Sequence, residues 1–128
     1  MKRIILLLMI ALMLTGCGAK GRPKDMRQEV YDEATIAYDA VKSFLDGNGS
    51  AKNLPDLING CTEKIQNLDE TGWTVSEKIK SLDVCNTLVK MSLAAIDVKL
   101  YSTTGGNVDK SRKDLSDALK ELKKELNK

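Results

Sequence analysis

Histidine is absent from all 128 residues of this chain. The absence removes the most frequent general base and the most frequent metal ligand. An enzyme built from this sequence would need another toolkit. Ser76 with Lys80 and Ser81 with Lys78 stand close enough to meet on a helix, but such pairs are common on solvated helix faces. Asp83 and Asp97 fall ~21 Å apart along one helix, too far for a catalytic dyad. Asp46, Asn48 and Ser50 alternate like the first ligands of a calcium loop. An EF-hand then requires glycine and glutamate where this chain has Ala51 and Leu57. No strand pattern occurs, so no glycine-rich phosphate loop follows one. The chain reads as non-catalytic, with no metal and no other cofactor.

A charge excess is lacking as well. The sequence carries 20 Lys and Arg against 18 Asp and Glu, and two of the basic residues, Lys2 and Arg3, belong to the extreme N-terminus. A balanced, well-mixed distribution leaves no electrostatic footprint for nucleic acid. Lys20, Arg22, Lys24 and Arg27 do cluster, either beside an anionic surface or as a solvated linker.

The apolar run at residues 4–16 (IILLLMIALMLTG) is also too short to be a membrane span, because crossing the ~30 Å hydrocarbon core takes about 20 apolar residues. With Lys2 and Arg3 in front of it, the run has the layout of a secretory signal. Leu14-Thr15-Gly16-Cys17 resembles the lipobox of bacterial lipoproteins. That resemblance implies cleavage before Cys17, acylation of its thiol with diacylglycerol, and palmitate-type chains that hold the protein to a membrane. Two chains make a durable anchor where one does not. Gly18, in place of an aspartate, points by the same analogy to the periplasmic side of the outer membrane in a two-membrane cell. The expected organisation is a signal peptide over residues 1–16, a lipidated tether over 17–23 and one helical domain over 24–128.

With Cys17 assigned to lipid, Cys61 and Cys85 remain as a pair. An oxidising compartment favours a disulfide between them. Each lies twelve residues from Trp73. A chain reversal at Trp73 would bring both sulfurs to the same height, ~18 Å up a helical hairpin. The alternative is two buried thiols packing as small hydrophobes.

Apolar periodicity predicts four helices, near 24–45, 54–70, 75–101 and 108–127. The first carries Tyr31, Ala34, Tyr38, Val41 and Leu45 at helical spacing, and Asp25 with Gln28 suggests a capping box. The second carries Leu54, Ile58, Cys61, Ile65 and Leu68, with Pro55 in its first turn. Gly60 within it reads either as a point of close backbone approach or as a tolerated glycine. The third opens with Thr74 and Glu77 in capping-box register. Its heptad line is Val75, Ile79, Leu82, Asn86, Val89, Leu93, Ile96 and Leu100, and a second apolar patch comprises Val84, Leu88, Met91, Ala95 and Val98. With two apolar sides, this helix is expected to be the most buried. The fourth carries Leu115, Leu119, Leu122 and Leu126. Short connections then give an all-α, up-down-up-down four-helix bundle.

Asn86 interrupts an apolar line, as a register-setting asparagine does or as a polar contact in a ligand pocket would. Trp73, at the hairpin tip, reads as a partner contact or as a cap over the open end of the bundle. The preferred function is a lipid-anchored envelope module that binds a protein partner, of accessory, exclusion or inhibitor type. A bundle that binds a small molecule is the alternative.

Overall fold

The computed structural model describes residues 21–128; Cys17 and the signal-like segment lie outside them. Four helices, α1 (Gln28–Leu45), α2 (Leu54–Gln66), α3 (Val75–Thr104) and α4 (Val108–Glu125), follow one another, with a 3₁₀ turn at Ala51–Asn53 ahead of α2. Each packs on the next, and α4 returns to α1. The fold is the expected up-down four-helix bundle.

Local chemistry sets the helix ends. At α3, Thr74 accepts from the Glu77 backbone N–H at 3.1 Å while the Glu77 carboxylate accepts from the Thr74 N–H at 3.0 Å, forming the expected capping box. At the other end of α3, Gly105 adopts φ 76° and donates its N–H to the Tyr101 carbonyl at 3.0 Å. A left-handed residue at that position satisfies a carbonyl the helix leaves open, and glycine adopts it without a Cβ clash. Asn107 caps α4 by accepting from the Lys110 N–H at 3.1 Å.

The expected capping box at Asp25 and Gln28 does not form. Arg27 is the N-cap of α1 and makes no side-chain cap bond; Gln28 instead donates to Asp32 at 2.7 Å. Residues 23–26 form a turn in which Met26 donates its N–H to Pro23 at 3.1 Å. Pro23 is buried and Met26 is almost wholly so. The chain is therefore docked on the bundle from Pro23 onward, while the helix itself begins at Gln28, later than the expected start near 24.

Val30, Ala34 and Val41 of α1, Ile58 and Ile65 of α2, Val84, Leu88 and Met91 of α3, and Leu115 and Leu122 of α4 fill the centre. Each large aliphatic side chain among them contributes about 1.5–3 kcal/mol through burial. Cations close the two ends. The Arg112 guanidinium lies 5.0 Å from the Phe44 ring centroid, and the Lys128 ammonium stands 5.7 and 5.4 Å from Tyr31 and Tyr38. These contacts pin the start of α4 to the end of α1 and the C-terminus to the start of α1.

Candidate interaction surface

The thirty residues of α3 are apolar on two sides, and the bundle uses only one of them. Val84, Leu88, Met91, Ala95 and Val98 point inward, joined by Ser81, Cys85, Ser92 and Ala94. These small residues let α2 and α4 approach closely. Ser92 donates to Asn59 of α2 at 2.6 Å. Thr87 donates to Glu125 of α4 at 2.8 Å, and Lys90 pairs with Glu121 of α4 at 3.0 Å.

The heptad line lies outward. Val75 is 73% exposed, Ile79 55%, Leu82 61%, Val89 45%, Leu93 59%, Ile96 42% and Leu100 51%, and Asn86 among them is exposed too. The expectation that α3 would be the most buried helix is corrected here. Its neighbours flank one side and leave the other bare, so Asn86 neither sets the register of the core nor lines an internal pocket. From Val75 to Leu100 the stripe runs ~38 Å along the helix. It presents roughly 700 Å² of apolar accessible surface, above the 300–600 Å² typical of a monomer's largest patch.

Trp73 is not part of this surface. It is 8% exposed, its N–H donates to the Glu70 carbonyl at 3.0 Å, and the Arg27 guanidinium covers its ring at 5.5 Å from the centroid. The expected partner contact is thus a buried side chain whose ring face a cation of α1's N-cap occupies. Arg27 also reaches the Glu77 carboxylate at 3.5 Å, which ties the start of α1 to the start of α3.

Cys61 and Cys85 are free and buried; the expected disulfide is not made. Cys61 and Cys85 lie on the buried faces of α2 and α3, which are joined through residues 67–74. A disulfide needs Cβ atoms ~3.5–4.5 Å apart. The two thiols also have different neighbours. Burial pushes Cys61 up to about 11, assisted by the charge of Glu33 and a hydrogen bond to it. Burial likewise raises Cys85, next to Glu70. Both are held as unreactive thiols.

No protein-family model matches this chain, and no curated protein or solved structure matches it.

Among the described residues no group of three or more Cys, Asp and Glu side chains gathers to hold a metal ion, and no helix is long and apolar enough to cross a membrane. Shallow grooves lie between helices, lined by exposed side chains and by edges of buried ones such as Phe44, Tyr38 and Pro55. One lies between the start of α2 and the end of α3, with Pro55, Asn59, Ile96 and Leu100 in its walls, and it continues the stripe sideways. Asp83 and Asp97 stand exposed along the stripe's edge, and Lys78 stands on its opposite edge. The arrangement suits docking of a second helix: a straight apolar seam, one polar residue within it and charges at its margins.

Proposed function

We propose that this protein is a lipid-anchored, non-catalytic interaction module of the cell envelope, which docks a partner helix along the outer face of α3. The observation that carries the reading is the exposed heptad stripe from Val75 to Leu100. Leaving seven large aliphatic side chains in water forgoes the stabilisation their burial gives, and a helix laid along the seam recovers it. The spacing of three and four residues is that of knobs entering the holes of a facing helix.

The lipobox-like Leu14-Thr15-Gly16-Cys17 supplies the second half of the proposal. Acylated at Cys17, the chain would have only five residues between its anchor and Pro23, where it is already packed. Such a tether spans at most about 20 Å. The bundle would stand on the membrane, on the periplasmic face of the outer membrane in a two-membrane cell, with the start of α3 near the surface because Arg27 joins the start of α1 to Glu77.

Two measurements test the two halves separately. A photo-crosslinking amino acid in place of Leu93, activated in intact cells, is expected to capture a polypeptide; capture of none rejects the docking face. Intact mass of membrane-extracted protein is expected to show an acylated Cys17 at the mature N-terminus. An unmodified chain cleaved elsewhere rejects the anchor.

A further inference from the structure

We infer that the occupant of the α3 stripe is a second copy of this chain, docked as a parallel two-helix coiled coil with Asn86 facing Asn86 of the other copy. The inference rests on the docking-face reading above and names its partner. Three features select this occupant.

The first is the position of the polar residue. The spacing places Ile79, Asn86, Leu93 and Leu100 at a positions and Val75, Leu82, Val89 and Ile96 at d positions. In a parallel pair, a meets a and d meets d, so the two Asn86 amides face each other and each satisfies the other's hydrogen-bonding groups. A lone asparagine at an a position is the recognised device for fixing register and orientation. In an antiparallel pair Asn86 would face Val89, leaving its amide against an apolar neighbour.

The second is charge. Lys78 and Asp83 occupy g and following e positions, both exposed, and neither takes part in an ion pair among the described residues. In a parallel pair Lys78 of each copy meets Asp83 of the other, giving two symmetric pairs. An antiparallel pair sets Lys78 against Lys99. Its one favourable match, Asp83 with Lys90, competes with the Lys90–Glu121 pair at 3.0 Å that the chain already makes.

The third is the tether. Parallel α3 helices place both chain starts at one end of the dimer, since Arg27 and Glu77 lie 3.5 Å apart. Two anchors in one membrane are then compatible with the dimer. Antiparallel helices would place the starts ~38 Å apart, the length of the stripe, so a bundle standing with the start of α3 at the membrane would hold its partner's start beyond the ~20 Å reach of that partner's tether. The exposed apolar area, roughly 700 Å², is close to the ~800 Å² each partner contributes to a standard-size complex.

The test uses the acylated mature chain in vesicles of phosphatidylethanolamine and phosphatidylglycerol. The Ile96→Cys variant, oxidised with copper phenanthroline, is expected to form a covalent dimer by itself, against a background set by the parent chain with its buried Cys61 and Cys85. A mixture of Ile79→Cys and Ile96→Cys chains is expected to give no 79-to-96 product. If that mixed product dominates, the pair is antiparallel and the proposal falls; if neither arrangement crosslinks, it falls also. In detergent, Lys78→Glu is expected to weaken dimerisation about tenfold, and the double variant Lys78→Glu with Asp83→Lys to restore it. Failure of restoration overturns the parallel register. The photo-crosslink from position 93 separates the two levels of the argument. A captured second copy supports the dimer. Capture of a different polypeptide alone overturns the dimer and leaves the docking module standing, and capture of nothing removes both.

Discussion

The hydroxyl of Ser92 donates to the side-chain oxygen of Asn59 at 2.6 Å, and this contact ties the inner face of α3 to α2. Ser92 belongs to the buried face of α3, and the heptad line stands on the opposite, exposed side.

The two faces of α3 are expected to answer mutation in opposite ways. Leu88→Ala, on the fully buried inner face, is expected to lower unfolding free energy by about 2–5 kcal/mol. Leu93→Ala, on the exposed face, is expected to change that of the isolated monomer by no more than about 0.5 kcal/mol. Urea titration at low protein concentration distinguishes them, and equal losses would mean that the outer face is packed within the fold.

Cys61 and Cys85 are expected to resist a thiol reagent at neutral pH while the chain is folded, because burial raises both and hides them. In denaturant without reductant, the chain purified from cells is expected to show both thiols free. Recovery of a linked Cys61 and Cys85 peptide on non-reducing mapping would contradict the free state of the two thiols.

Glu125 introduces a pH dependence. Desolvation raises its carboxyl above the usual range, offset in part by the hydrogen bond from Thr87. The folded chain therefore holds this proton more tightly than the unfolded chain, and the linked stability falls as pH rises through the window between the ordinary and the raised value. Glu125→Gln keeps an oxygen for Thr87 and removes the charge. It is expected to raise the urea midpoint near neutral pH and to lose this advantage in acid, below about pH 4. A constant difference at all pH values would contradict the assignment.

Gly60 occupies the interior of α2, and a Cβ there would meet nothing within 4 Å. No backbone presses against it. Gly60→Ala is expected to stabilise the fold by about 0.5–1 kcal/mol, read as a rise of a few degrees in Tm; a loss would reveal a contact at that position.

The four helices were legible in the sequence because Val30, Ala34, Val41, Ile58, Leu115 and their like recur at helical spacing, and because Thr74 with Glu77 spells out a cap. The orientation of α3 was not legible, since Val84, Leu88, Met91, Ala95 and Val98 repeat with the same period as the line from Val75 to Leu100. Two signals, unused in that reading, distinguish the lines. The inner face is interleaved with Ser81, Ser92 and Ala94, which suit close packing, whereas the outer line contains Asn86. The burial of Trp73 depended on a contact with Arg27 across 46 positions of sequence, which no local pattern announces. The spacing of Cys61 and Cys85 suggested a bond on the assumption that both sulfurs face each other across the hairpin, but the two thiols are free and have different carboxylates, Glu33 and Glu70, beside them.

The most direct measurement of the central claim is a comparison of photo-crosslinks in intact cells from position 93, on the α3 stripe, and from position 114, exposed on α4. A discrete adduct from position 93 with none from position 114 is the expected result. No adduct from position 93, or equal adducts from both, would contradict the assignment of the outer face of α3 as the surface through which this protein acts.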